Sequence, residues 1–164
     1  KKCFNFHPGL PSYRGRDVHH FACYNKEKYY GGTVHIIDEK IDSGKILFIY
    51  KKKINKKKYN HEYFRKVGIK SIKILFKNNF LDLVKEKNFR IKKIFWGKKL
   101  YTRRMFLQKL KVEKNISYIN FLNLLRSFHN PKFPSLYFIH KNKKIYLKKK
   151  GDYKKIKRYI VSTN

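Results

Sequence analysis

Phe4-Asn5-Phe6-His7-Pro8-Gly9-Leu10-Pro11-Ser12-Tyr13-Arg14-Gly15 is the stretch on which the fold of this chain turns. Lys2 to Phe6 reads as the end of a strand that runs into a Pro/Gly loop lasting through Gly15. Asn5 and His7 are two residues apart, so on an extended strand end both side chains point to the same side. Pro8 restricts His7 to extended geometry.

The next informative stretch is Gly31-Gly32-Thr33-Val34-His35-Ile36-Ile37-Asp38-Glu39-Lys40-Ile41-Asp42-Ser43-Gly44. Gly31-Gly32 reads as a chain break, Thr33 to Ile37 as a β-branched strand, and Asp38 to Gly44 as the loop after it. If the two strands are adjacent and parallel, Asp42 comes to lie beside Asn5 and His7. An amide, an imidazole and a carboxylate placed together suit acyl transfer to an amine. Asn5 would donate its N–H to the developing oxyanion. His7, beside Asp42, would help bind that oxygen and pass protons, and Asp42 would fix the ring and raise its pKa. Each such contact is worth roughly 2–4 kcal/mol of barrier, by analogy with oxyanion-hole deletions.

Between the two stretches Asp17 is placed to cap a short helix, Val18 to Lys26. Lys45 to Lys53 reads as a further strand, and strand–helix–strand order argues for an α/β layer with reactive groups at strand ends. From His61 to Lys87, Phe64, Val67, Ile72, Leu75, Phe76, Phe80, Leu83 and Val84 recur at helical spacing, which predicts a long amphipathic helix. A basic connection from Asn88 to about Met105 holds Trp96, expected in a core or lid role, and marks a subdomain boundary, giving domains 1–95 and 96–164. Ser117 is placed to cap a helix that Pro131 and Pro134 end. Ser135 to His140 and Lys144 to Lys149 then read as a hairpin around Lys141-Asn142-Lys143, before a basic tail.

The 164 residues carry 43 Lys and Arg against 10 Asp and Glu, a net charge of +33. Clustered cations would suit a polyanion such as nucleic acid. Yet Lys, Asn, Ile, Tyr and Phe are abundant together, as in AT-rich coding sequence, and Lys is spread without one identifiable basic face. No apolar run approaches the roughly 20 residues that span a bilayer, and Lys1-Lys2 leads into a turn motif, not an apolar leader. A cytoplasmic protein beginning mid-sequence is the expectation, with Cys3 and Cys23 as reduced core thiols. His19-His20 lacks an accompanying Cys or carboxylate at ligand spacing, so helix packing or surface is expected and no metal. His35 reads as a packed strand residue buttressing the site.

The two stretches resemble the motifs of the 10-formyltetrahydrofolate-dependent formyltransferases. Asn5-Phe6-His7-Pro8 with Leu10-Pro11-Ser12-Tyr13-Arg14-Gly15 is similar to Asn-x-His-Pro…Leu-Pro-x-Tyr-Arg-Gly. Gly32-Thr33-Val34-His35 with Asp38-Glu39-Lys40-Ile41-Asp42-Ser43-Gly44 is similar to Gly-x-Thr-x-His…Asp-Glu-x-Ile-Asp-x-Gly. The resemblance implies an enzyme with Asn5, His7 and Asp42 catalytic. The loop of Ile36, Ile37, Asp38, Glu39, Lys40 and Ile41 would line the folate pocket, with Tyr13, Arg14 and Gly15 at the acceptor. It implies the C-terminal half of a Rossmann-like formyltransferase domain, followed by a small helix and β-hairpin subdomain. 10-Formyltetrahydrofolate would be the donor.

Later, Tyr101-Thr102-Arg103-Arg104 and Leu124-Leu125-Arg126-Ser127-Phe128 with Pro131, Phe133, Pro134, Tyr137 and Phe138 resemble formyltransferases acting on amino sugars. Arg103 or Arg104 would then meet a nucleotide-sugar phosphate. The chain departs from the family in having one Leu before Pro11 instead of two, and only four residues before Asn5, where the family has a parallel αβ half. The implied function is formyl transfer to a primary amine, foremost of a nucleotide-linked amino sugar. Methionyl-tRNA is the alternative acceptor, favoured by the charge, and a homodimer through the hairpin stays open. A second alternative is a remnant without activity or an interaction module.

Overall fold

A computed structural model describes residues 2–85, 89, 93–130 and 135–147, and the backbone of 160–161. It divides into two compact units, Lys1–Thr102 and Arg103–Asn164. Pro131, Phe133, Pro134, the end of the expected hairpin at Lys149 and the basic tail up to 159 lie outside the described residues.

In the first unit the alternation of aromatic and polar residues in Phe4–His7 becomes strand β1. It pairs antiparallel with β3 (Tyr29–Ile36), setting Phe4 opposite Ile36, Asn5 opposite His35 and His7 opposite Thr33. β3 pairs antiparallel with β4 (Ile46–Lys53), so the order is β1-β3-β4. The parallel pairing expected of β1 and β3 is therefore corrected. The only helix between them, α1 (Val18–Tyr24), has seven residues. It advances about 10 Å at about 1.5 Å per residue, whereas the eight residues of β3 span about 27 Å at about 3.4 Å each. It is too short to carry the chain back along the strand, as a parallel crossover requires.

Cross-strand partners share a face, and alternate residues alternate faces. Phe4, Phe6, Val34 and Ile36 thus lie on one side of the sheet. Val34 and Leu47 pack there with Leu75 and Leu83 of helix α2 (His61–Val84), and Phe4, Phe6 and Ile36 join them. Each such buried side chain stabilises by roughly 1.5–3 kcal/mol, so this face anchors the sheet and leaves the other to carry polar groups. That face holds Asn5, His7, Thr33 and His35.

Several local expectations change. Gly31 and Gly32 do not break the chain but lie inside β3, because backbone approaches there too closely for a side chain: a Cβ on Gly31 would sit 1.8 Å from the Tyr50 carbonyl oxygen. Asp17 precedes α1 with φ 59° and makes no side-chain cap; its carboxylate lies 3.5 Å from Arg16 Nε. Asn60 caps α2, accepting from the Tyr63 amide at 2.9 Å. Phe76, Phe80 and Val84, expected in the core, are 49%, 44% and 63% exposed, since at about 3.6 residues per turn their four-residue steps drift away from the face that buries Phe64, Ser71 and Leu75. Cys23 is buried but Cys3 is exposed; both are free thiols. Lys52, Lys57, Lys58, Lys66 and Lys70 gather along one cleft, a basic face that the even spread of lysine in the sequence conceals.

β2 (Arg14–Gly15) pairs in parallel with β5 (Leu100–Tyr101), drawing the end of the first unit against the Pro/Gly loop. In the second unit α3 (Arg103–Lys109) is followed by β6 (Ile116–Ser117) and α4 (Tyr118–Phe128), whose cap is Ser117, accepting from the Asn120 amide at 3.3 Å. β7 (Tyr137–His140) and β8 (Lys143–Tyr146) form the hairpin. Its turn is Lys141-Asn142, both at positive φ (45° and 60°), the conformation that matches strand twist in a two-residue connection. β9 (Ile160–Val161) pairs in parallel with β6. No helix among the described residues is long and apolar enough to cross a membrane.

Candidate active site

The polar face of the sheet converges on one carboxylate. Asp42 lies within the loop between β3 and β4 with φ 44°, a left-handed conformation that Asp tolerates better than most residues. Its Oδ1 accepts from Asn5 Nδ2 at 3.2 Å, and its Oδ2 accepts from the Gly15 amide at 2.7 Å. His7 Nδ1 lies 3.3 Å from Oδ2 and His35 Nε2 3.3 Å from Oδ1. Asn5, His7 and Asp42, separated by up to 37 positions in sequence, are therefore in one hydrogen-bonded cluster.

The hydrogen-bond inventory fixes more than proximity. His35 Nδ1 lies 2.9 Å from the Ile36 carbonyl and donates to it, while Nε2 lies 3.1 Å from Asn5 Nδ2 and 3.3 Å from Asp42 Oδ1, so it accepts from Asn5 when the ring is neutral and donates to Asp42 when the ring is protonated. With His35 neutral both donors of the Asn5 amide are used, one on Asp42 and one on His35, and an oxyanion would then take one over by exchange. His7 Nε2 is 2.7 Å from the Tyr13 carbonyl and must carry the proton donated to it. Neutral His7 then turns the lone pair of Nδ1 toward Asp42, and a proton arriving on Nδ1 is received between the ring and the carboxylate. His7 and Asp42 form a proton-holding pair, one atom of which is occupied by the loop backbone.

Trp96 completes the site. Its Nε1 donates to the Gly44 carbonyl at 2.8 Å, and its ring meets His7 and His35 edge-on at 5.7 and 4.9 Å. The indole shields both imidazoles from one side. Neither His35 nor Trp96 was assigned a chemical part from the sequence. The signal for His35 was its position opposite Asn5, readable only once the antiparallel register is known.

The remaining expected site residues divide by burial. Tyr13 is 2% exposed; its ring stacks on Tyr101, its hydroxyl donates to Glu27 at 2.9 Å, and it meets the site through its backbone carbonyl. Arg14 Nη2 donates to the Ile41 carbonyl at 2.8 Å, tying the first loop to the second, and its Nε is buried without a hydrogen-bond partner. Ile37, Asp38, Glu39, Lys40 and Ile41 form an exposed rim and Ile36 is half-buried. Arg103 and Arg104 open α3 of the second unit, where Arg103 lies over the Phe106 ring at 4.6 Å.

Burial holds the His7 pKa below the ordinary imidazole value, outweighing the attraction of Asp42 and the Tyr13 carbonyl. Burial alone would raise the Asp42 pKa, but His35, His7 and the Gly15 amide together bring it below the usual carboxylate value. The signs agree. A histidine less basic when folded is stabilising above the unfolded value of about 6.5, and that stability drains away as pH falls below it. A depressed carboxylate contributes above its unfolded pKa and loses that contribution as pH falls through its folded one. Thermal unfolding followed by Trp96, the one tryptophan of the chain, should give the same Tm at about pH 7.5 and 8.5 and a clearly lower one at about pH 5. An unchanged Tm at the lower pH would contradict a neutral buried His7.

Residues 1–77 match the family model described as Formyl transferase. Over 129 residues the chain is 30% identical to the bifunctional polymyxin resistance protein ArnA of Wigglesworthia glossinidia brevipalpis, covering 78% of this chain and 19% of that protein. The X-ray structure of a sugar N-formyltransferase from a Shewanella species superposes with a TM-score of 0.76 at 26% identity, over 90% of this chain and 61% of that one. An N-formyltransferase from Helicobacter canadensis, in complex with folinic acid and dTDP-3-aminofucose, gives 0.66 at 24% identity, over 87% and 52%, a likeness of fold. The chain thus spans less than two thirds of each of these relatives, and over that span its architecture is the α/β fold of formyltransferases.

Proposed function

We propose that this chain, whose residues 1–77 match the family model described as Formyl transferase, transfers a formyl group from a 10-formyltetrahydrofolate-type donor to the primary amine of a nucleotide-linked sugar. The observation that carries this reading is the convergence of Asn5, His7 and His35 on the buried Asp42. The acceptor class follows the sugar N-formyltransferases that share the fold. The donor follows the family, and the Helicobacter relative is described with folinic acid.

In this reading the amine attacks the formyl carbon and tetrahydrofolate leaves. The formyl oxygen becomes negative and takes an N–H of Asn5 in exchange for one of its internal bonds, at little net cost because one hydrogen bond replaces another. The proton shed by the amine passes to the His7–Asp42 pair, where Asp42 stabilises the imidazolium it creates, and from there to the nitrogen of the departing tetrahydrofolate, so that the pair ends as it began. The rim Ile37–Ile41 would receive the donor, and Trp96 would limit water at the imidazoles. Arg103 and Arg104 are the candidates for contact with a nucleotide phosphate.

The test is formyl transfer by the full chain to a panel of nucleotide-linked amino sugars, with Asn5→Ala and His7→Ala beside it. Each substitution should lower kcat about 10²–10³-fold with a smaller effect on KM. Folinic acid should quench Trp96 fluorescence and raise Tm, because a ligand bound only by the folded chain stabilises it. Transfer unaffected by both substitutions, or neither transfer nor folinate binding, would remove the proposal.

A further inference from the structure

A second cluster of imidazoles lies outside the Asn5–Asp42 site. α1 carries His19 and His20 in succession, and α2, which packs against α1, begins at His61. The rings of His20 and His61 stack with centroids 4.6 Å apart, those of His19 and His20 lie 4.2 Å apart, and His19 and His61 are 6.3 Å apart. One nitrogen of each lies within 4.8 Å of one nitrogen of each of the others. His20 and His61 are buried, while His19 is half-buried and gives the group an opening to solvent.

Three polar rings gathered between two helices cost desolvation that three apolar side chains would not, so their association asks for a chemical reason. We propose that His19, His20 and His61 form a site for a late first-row divalent cation, zinc foremost, with the fourth coordination position on the open side at His19. Imidazole nitrogens without an oxygen ligand favour Zn²⁺, Ni²⁺, Co²⁺ or Cu²⁺ over Mg²⁺ and Ca²⁺. Zn–N bonds of about 2.0–2.1 Å in a tetrahedron set nitrogens about 3.3 Å apart. The rings therefore close by up to about 1.5 Å, mainly by His20 and His61 sliding out of their stack.

The electrostatics suit a ligand set. Burial, with His20, His61 and Arg65 adding to it, pushes His19 down to about 2, which keeps the ring in the neutral, ligating form. Two features oppose a cation: the N-terminal end of α2, with its positive dipole, and Arg65, one turn beyond His61. Arg65 is drawn aside by Glu62, whose carboxylate lies 3.2 Å from its Nε. The bound ion would clamp the start of α2 directly to α1, two elements that β3 and β4 separate in sequence. His61 is brought to the pair only by the packing of α1 on α2, which the spacing of His19-His20 could not announce.

The experiment uses the full chain stripped with a chelator and titrated with ZnCl₂ and CoCl₂. One ion should bind per chain at or below about 10 µM, with a rise in Tm. His19→Ala, at the half-exposed position, and His61→Gln should each weaken binding at least about tenfold. His140→Ala, in the second unit, should leave it unchanged. On the unmodified chain, ¹⁵N spectra of the seven histidines should show three rings shifting with zinc, a readout that needs no variant to fold. No binding at about 100 µM zinc, shifts in a different number of rings, or affinity that survives both substitutions would overturn the assignment.

Discussion

Asp42→Asn should cost about 10²–10⁴-fold in the rate of formyl transfer while the chain stays folded. The substitution is nearly isosteric, and Asn tolerates the positive φ of 44° found at this position. What disappears is the charge. Asp42 is the common acceptor for the Gly15 amide at 2.7 Å and Asn5 Nδ2 at 3.2 Å, and the counter-ion 3.3 Å from His7 Nδ1. An amide there offers one acceptor oxygen and turns an N–H₂ group toward donors. Nδ1 of His7, already disfavoured by burial as a site for positive charge, would then take up the proton of the attacking amine with nothing to stabilise it. The loss should fall on kcat more than on KM, since the imidazolium exists only once reaction begins. Folding should suffer by about 1.5–3 kcal/mol, the worth of hydrogen bonds to a charged group. Single-turnover rates beside thermal melts separate the two effects. A rate within about threefold of the unmodified chain would make Asp42 a structural turn residue and leave the site without its acid.

Asn5 and His7 were legible as a pair because periodicity alone puts them on one strand face, whereas Asp42, 37 positions from Asn5, was joined to them only by the assumed adjacency of the strands and by the resemblance to the formyltransferase motifs. The wrong strand direction did not spoil the pair, because alternation puts Asn5 and His7 on one face whichever way β3 runs. His35 was less legible, since its contact with Asn5 depends on register, which only the paired strands fix. Trp96 reaches the site over 52 positions through its bond to the Gly44 carbonyl, and periodicity carries no information over such a distance. Gly31-Gly32 misled in the opposite sense: glycine marks both breaks and close backbone approach, and only the proximity of Tyr50 decides which. The helix over His61–Val84 was plain from its spacing, but its apolar residues cover more than one face, and only packing decides that Leu75 and Leu83 meet the sheet while Phe76 and Phe80 stay half-exposed.

Gly15→Ala should be strongly damaging, because both its backbone conformation and its surroundings exclude a side chain. Gly15 has φ +98°, where an L side chain is strained by about 1–3 kcal/mol. An added Cβ would also lie 2.1 Å from the Tyr101 carbonyl oxygen, a backbone atom held by the β2–β5 pairing and by the Arg16 amide at 3.1 Å. Neither strand can yield without breaking that pairing. Displacing Gly15 also withdraws its N–H from Asp42, leaving a buried carboxylate one donor short at about 1.5–3 kcal/mol. Together these come to on the order of 3–5 kcal/mol, a large share of the roughly 5–15 kcal/mol typical of a folded domain. The expected fall in Tm is more than about 10 °C. Gly→Ala where φ is ordinary and space is open usually stabilises, by about 0.4–1 kcal/mol through the unfolded chain, so the sign of the effect is itself diagnostic. Activity should fall further than the folded fraction explains, because the same backbone carries the Arg14 bond to Ile41 and the amide that holds Asp42. A variant that melts within about 2 °C of the parent would mean that the loop from Pro8 to Gly15 does not seat on β5 as described. The position of Asp42 beneath it would then rest on Asn5 and the histidines alone.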